Sequence, residues 1–158
     1  PLLALLSLLA ALAAAPALPA FDITTKTGSW TGTGQVMRGG DLSEVTCRVD
    51  IGPQGAATRV SGRCAVPEGS RSFEFLLTPQ PDGSWTASSE DLARSEDSSI
   101  EQITGSPAQN ALTLRGEANG ESLAVQFVPR PDDGLRIATQ RVTPSGREDT
   151  SVVELTRR

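Results

Sequence analysis

The sequence predicts a single all-β domain: an antiparallel β-barrel or a strongly curved meander of about 8–10 strands, with a two-sheet β-sandwich as the structural alternative. Three observations lead there. Short runs of alternating apolar and polar residues recur from Phe21 to the C-terminus. Gly, Pro, Asn and Asp separate them, and no stretch carries the 3.6-residue periodicity of a long amphipathic helix. The apolar sets of neighbouring runs also fall into step when their turns are taken as hairpins.

In chain order, the first element is not part of that domain. Leu2 to Ala15 is an almost unbroken run of Leu and Ala, followed by Ala15-Pro16-Ala17 and Leu18-Pro19-Ala20. This is the apolar core and small-residue exit of a secretory signal peptide. It is shorter than the roughly 20 apolar residues a spanning helix needs. No basic segment precedes it and the sequence opens at Pro1, so residues 1–20 read as an N-terminally truncated signal peptide cleaved after Ala17 or Ala20. Residues 21–158 form the mature domain, with no second apolar segment to span a membrane.

Strands are expected near 29–37, 44–51, 58–66, 71–78, 84–89, 98–105, 111–117, 122–129, 135–142 and 148–156. On the first, Trp30, Gly32, Gly34 and Val36 face one way. Alternate glycines remove inner side chains and let a strand coil sharply. On the next two, Val45, Cys47, Val49 and Ile51 share a face, as do Val60, Gly62, Cys64 and Val66. With 52–57 as the turn, Ile51 lies opposite Val60, Val49 opposite Gly62 and Cys47 opposite Cys64. Directly opposed residues on an antiparallel pair lie within relaxation of disulfide reach. Two cysteines in an exported chain favour the bridge over two free thiols.

Ser88 to Ser99 reads as a long loop or one short helical turn, carrying Glu90-Asp91 and Glu96-Asp97. Asn119-Gly120 is a two-residue hairpin turn, because both residues tolerate positive φ. It sets Leu123 opposite Gly116, Val125 opposite Leu114 and Phe127 opposite Leu112. At Asp132-Asp133-Gly134, a three-residue loop with Gly134 left-handed pairs Leu135 with Pro131 and Ile137 with Pro129. At Pro144-Ser145-Gly146, Pro144 fixes φ and Gly146 takes the left-handed position. Val153 then faces Ile137, and Leu155 faces Leu135. Four strands bury one face, including Leu114, Val125, Phe127, Ile137 and Val153.

Composition narrows the chemistry. The net charge is −5, which disfavours nucleic acid. Of the basic residues, thirteen are Arg and one is Lys26; with the abundance of Ala and Gly, this points to a GC-rich bacterial genome, and the signal segment together with that source points to a periplasmic or secreted location. There is no His and no Tyr, so neither Ser-His-Asp nor Cys-His catalysis is available. A metal site is not expected: structural zinc wants four N or S ligands, and Asp132-Asp133 and Glu96-Asp97 lack a calcium loop's alternation of oxygen ligands. No cofactor is implied. Glu44, Asp50, Glu74, Glu101, Glu117 and Glu121 are the remaining carboxylates for glycoside-type chemistry, and most fall on solvent-facing strand positions. The Gly-rich stretch 28–34 reads as strand, not as a phosphate loop. Trp30 and Trp85, each in a Gly-Ser-Trp-Thr tetrad, are either core anchors or the candidate ligand-binding residues of a cup.

Gly28-Ser29-Trp30 on the first strand, the up-and-down meander and Arg157 ending the last strand resemble the calycin (lipocalin-like) pattern. In that family the first-strand Trp packs against a late Arg at the closed end of a barrel, and the open end often holds a small apolar ligand. The chain is also similar to small exported bacterial proteins with a Trp-x-Gly-x-Gly start and a cysteine pair, here Trp30 to Gly34, Cys47-Arg48 and Gly62-Arg63-Cys64. Neither resemblance supplies catalytic residues. The sequence thus predicts a non-enzymatic exported binding or accessory protein, with a small apolar molecule or an envelope protein as partner. The alternatives are an envelope interaction module or hydrolase inhibitor, and a carboxylate-dependent hydrolase.

Overall fold

The computed structural model describes residues 19–89 and 98–158. The signal-peptide reading of residues 1–20 lies outside them apart from Pro19 and Ala20, as does the segment 90–97 of the expected loop. A short 3-10 helix, Ile23–Lys26, precedes eleven strands: β1 (Gly28–Arg38), β2 (Asp41–Gln54), β3 (Ala57–Val66), β4 (Gly69–Pro79), β5 (Trp85–Ser88), β6 (Gln102–Gly105), β7 (Pro107–Ala108), β8 (Ala111–Ala118), β9 (Glu121–Arg130), β10 (Gly134–Val142) and β11 (Glu148–Arg157). Both β6 and β7 pair with β8 in one continuous register, Thr104 with Arg115 and Pro107 with Leu112, so they are halves of one strand. The sheet order is β6-β5-β4-β3-β2-β1-β11-β10-β9-β8-β7, and the β6–β8 pairing closes it. The result is a ten-strand antiparallel barrel, which decides between the barrel and the sandwich. Among the described residues the closing ladders are short: β5 pairs with β4 only over Leu76–Pro79, and Gly69 to Phe75 of β4 are paired on the β3 side alone.

Most expected registers hold. Cys47 faces Cys64, Val49 faces Gly62 and Ile51 faces Val60. Leu112, Leu114 and Gly116 face Phe127, Val125 and Leu123. Leu135 faces Leu155, and Ile137 faces Val153. All five core residues named above are buried. The Cys47–Cys64 disulfide is formed, with its Cα atoms 4.1 Å apart.

Three local expectations are corrected. The β2–β3 turn is not six residues long: the ladder runs on to Gln54 opposite Ala57, leaving Gly55-Ala56 as a two-residue turn with Gly55 at φ 61°. The β9–β10 hairpin is shifted by two residues, so Leu135 faces Pro129 and Ile137 faces Phe127. There Asp132 and Asp133 take the left-handed conformation, at φ 58° and 57°, in place of Gly134. An even shift keeps every apolar side chain on its face, which is why pattern alone does not resolve it. Finally, Ser98–Glu101 are not strand: Ser98 and Ser99 hydrogen-bond to Glu121 and the Ala118 carbonyl instead of joining the ladder.

The glycines of β1 permit closure. A Cβ on Gly32 or Gly34 would collide with the main-chain oxygen of Glu154 or Val152 on β11. These two strands therefore approach more closely than side chains would allow, and the sheet coils tightly enough to close.

Candidate functional site

The barrel has two dissimilar ends. One is closed by the turns at 55–56, 80–84, 109–110 and 131–133 together with the N-terminal segment. There the Phe21 N–H donates to the Ala108 carbonyl at 2.8 Å, and Phe21 and Ile23 are buried. The Trp30 indole is fully buried and its Nε1–H donates to the Lys26 carbonyl at 3.0 Å. The Arg157 guanidinium lies 4.5 Å over the Trp30 ring, and Lys26 Nζ 5.8 Å from it. Both cations bind Asp133, Lys26 at 2.7 Å and Arg157 at 2.8 Å. First the Lys26 hydrogen bond and then that of Arg157 hold the Asp133 carboxyl below its ordinary value of 3.8. The late Arg on the first-strand Trp is the arrangement the calycin resemblance implied.

The other end, at the turns 39–40, 67–68, 119–120 and 143–147, opens into a cavity of about 650 Å³. Its walls come from β1, β2, β3, β4, β10 and β11, with Leu123 from β9, and include the disulfide. Cross-strand rungs show how its polarity is graded. Working inward from the mouth, the first rung is Arg38–Asp149–Arg141–Leu123. The second is Val36–Ser151–Thr139–Val125, in which the Ser151 and Thr139 hydroxyl oxygens lie 2.6 Å apart. The third is Val45–Gly34–Val153–Ile137–Phe127, wholly apolar. Below it Gly32 lies between Leu155 and Cys47, and below that Trp30 faces Val49. The cavity therefore runs from charged, through hydroxylic, to apolar.

At the mouth, Arg147 Nη2 sits 3.2 Å from Asp149, whose carboxylate also accepts the Gly39 N–H at 3.1 Å. Arg141 Nε donates to Glu121 at 2.7 Å. Glu121 is buried and also accepts the Ser98 hydroxyl at 3.1 Å and the Ser99 N–H at 3.0 Å, which ties the segment after residue 97 to the start of β9. Of the carboxylates weighed from sequence, Glu121 alone is buried. Glu74 pairs with Arg59, and Asp50 accepts the Ser29 hydroxyl, both on the outer surface. Among the described residues no three His, Cys, Asp or Glu stand close enough to hold a metal ion.

Trp30 and Trp85 do not line the cavity. Trp30 packs beneath its floor beside Val49, and Trp85 is buried on β5, which contributes nothing to the walls. Sequence reasoning named Glu121 among its candidate carboxylates but missed its burial, and it missed the charged mouth. The signal was present: Glu121 is in step with Leu123, Val125 and Phe127, and Arg141 with Leu135 and Ile137, so each is a charge on apolar parity near a turn.

The chain matches no protein-family model, and no curated protein matches it. Among solved structures it is similar to the S-type phycobiliprotein lyase CPES from Guillardia theta, with a TM-score of 0.63 and 11% identity over 86% of this chain and 90% of that one. At this identity the likeness concerns the fold. It also corrects the expectation of a non-enzymatic chain: that expectation rested on absent His and Tyr, whereas a protein with this barrel is a lyase. No helix among the described residues is long and apolar enough to cross a membrane. The chain thus has a closed, disulfide-braced barrel of the kind the calycin resemblance implied, with a cavity open at one end.

Proposed function

We propose that this chain is an exported barrel that holds a small apolar molecule in the cavity at its open end, in the periplasm or outside the cell. The cavity carries the reading. At about 650 Å³, walled by Val45, Val49, Phe73, Phe75, Ile137 and Val153, it falls in the size range of small-molecule sites and has their mostly apolar character. The disulfide supports an oxidising compartment, and the Leu/Ala-rich start supports export. Trp30, which shares its rung with Val49 at the cavity floor, is assigned the role of reporting occupancy, and Trp85 that of a more distant reference.

Native mass spectrometry of protein freshly recovered from the periplasm tests this. The expected ion lacks the segment ending at Ala17 or Ala20 and carries a small-molecule adduct. An apolar probe should change Trp fluorescence, and Val36→Trp, which narrows the entrance, should abolish that change. A bare ion together with no probe binding would overturn the reading and leave the envelope-partner alternative in its place.

A further inference from the structure

We propose that the open end carries an anion subsite, centred on Arg38 and Arg71, so that the cavity takes an amphipathic anion: an apolar body with one carboxylate, sulfonate or phosphate-ester head. This deepens the cavity reading and rests on it.

The charge balance at the mouth is the first argument. Four arginines line the cavity, Arg38, Arg71, Arg141 and Arg147, against one carboxylate, Asp149. This concentration of positive charge sits on a chain whose net charge is −5. Two of the arginines are already answered: Arg141 by Glu121 and Arg147 by Asp149. Among the described residues no carboxylate lies within ion-pair distance of Arg38 or Arg71. Asp41 neighbours Arg38 across the β1–β2 ladder without pairing with it. Among the residues that line the cavity, the arginines without a carboxylate partner are therefore Arg38 and Arg71. Arginine offers planar paired donors that match a carboxylate, sulfonate or phosphate oxygen pair, and a cleft of one sign concentrates counter-ions at its entrance.

Placement is the second argument. Arg38 projects from the last residue of β1, three strands around the barrel from Arg71 on β4. Both are on the inward parity of their strands: Arg38 with Val36 and Gly34, Arg71 with Phe73 and Phe75. Two long side chains on different walls can close over a head group from two sides. Beneath them the Ser151 and Thr139 hydroxyls offer hydrogen bonds to the neck of such a molecule, and below these the walls are apolar. A wholly neutral, apolar ligand would leave the charged and hydroxylic upper layers unused. An inorganic anion would leave the apolar part empty.

The test uses the full mature chain and a neutral cavity probe, N-phenyl-1-naphthylamine, displaced by decanoate or by decanol. The two share a chain length and differ in head group. Decanoate should displace the probe at a concentration at least about tenfold lower than decanol, the scale set by one charge-assisted hydrogen bond. In R38Q/R71Q that advantage should vanish while decanol is unaffected, which also verifies that the variant is folded. On the wild-type protein, raising salt should erode the decanoate advantage and leave decanol unchanged. Acetate alone should not displace the probe. If decanoate and decanol compete equally in the wild type, or decanoate keeps its advantage in R38Q/R71Q, the anion subsite falls and the apolar cavity stands. Displacement by acetate would make the mouth a simple anion site and overturn the amphipathic ligand. Failure of the probe to bind at all overturns the cavity reading, and the subsite with it.

Discussion

On one side of the barrel, β5 to β9 turn Ala87, Ile103, Leu112, Leu114, Val125 and Phe127 inward, and these side chains are buried with almost no exposure. On the other side, β1 to β4, β10 and β11 enclose the cavity. The two halves share one alternation and one closed ladder, yet one is filled and the other hollow. Side-chain size separates them. The inward positions of β1 after Trp30 are Gly32, Gly34 and Val36, and β3 contributes Gly62 and the half-cystine Cys64, so the wall they build is thin. The filled half places Leu, Ile and Phe at the same heights. A barrel of fixed strand number keeps its interior volume whether or not the side chains fill it, so a run of small inward residues on a few adjacent strands leaves space.

The sharpest way to break this comparison is a truncation series across the two halves. Phe127→Ala, in the filled half, should cost roughly 3–5 kcal/mol, because it opens a cavity in a packed layer. Val153→Ala, on the same rung by way of Ile137 but facing the hollow, should cost roughly 1 kcal/mol, since its inner side lacks partner atoms to lose. Val152→Ala lies one residue away on the outer face, where Val152 is 40% exposed, and should be close to neutral. Equilibrium urea unfolding of the three variants checks the order. Equal losses for Phe127 and Val153 would mean that the hollow side is packed after all.

Next in size is the disulfide that braces the hollow side. Cys47 and Cys64 are 17 residues apart, so opening the bridge should cost on the order of 3 kcal/mol by loop-closure entropy. Reduction, or Cys47→Ala with Cys64→Ala, should lower the midpoint of unfolding accordingly. Alkylation of the unreduced protein should label neither cysteine. If the bridge chiefly holds the thin wall in place, probe affinity should fall in the reduced protein as well, whereas Phe127→Ala should spare it.

Glu121→Gln comes third and probes the open end. The variant keeps one acceptor for Ser98 and Ser99 but loses the charge facing Arg141, an expected loss of roughly 1–3 kcal/mol. Hydrogen exchange at the Ser99 amide should rise more than at Val125 within β9. No change at Ser99 would mean that Glu121 does not anchor this segment.

How far the sequence revealed all this depends on which physical quantity was in question. Parity is local, and it placed Leu112 to Phe127 and Cys47 to Cys64 correctly, because a slip of one residue would have turned whole apolar sets to solvent. A slip of two leaves no such mark, and that is where the β9–β10 register went astray. The deciding factor there was turn chemistry: Asp132 and Asp133 accept positive φ, while Gly134 is drawn into the strand, where a Cβ would lie 3.1 Å from Arg130 and 3.3 Å from the Leu155 carbonyl. The Trp30–Arg157 contact was legible through the calycin resemblance. The cavity was not, because its volume depends on how six strands converge in space. Its charged mouth was half legible: Arg38, Arg141, Asp149 and Glu121 all stand on apolar parity next to turns, where a rim belongs.

The smallest predicted effect lies at the closed end and concerns acid. Asp133 accepts hydrogen bonds from Lys26 and Arg157, and both lower its carboxyl pKa in the folded chain below the 3.8 of an ordinary aspartate. A carboxylate with a depressed folded pKa contributes stability above its unfolded pKa and loses it as pH falls through the folded value. The contribution is therefore complete at neutral pH, begins to decline near pH 4 and is gone at strongly acidic pH. Its size is small, because the Asp133 side chain is 55% exposed and solvent screens the pair. Asp133→Asn removes the titrating group while preserving an acceptor for Lys26 and Arg157. The difference in stability between wild type and Asp133→Asn, followed by thermal unfolding from pH 7 to pH 2, should shrink below pH 4, and probe binding at the open end should be the same for both proteins throughout. A difference that instead grew as pH fell would assign the linkage the opposite sign and remove Asp133 as the clasp of the closed end.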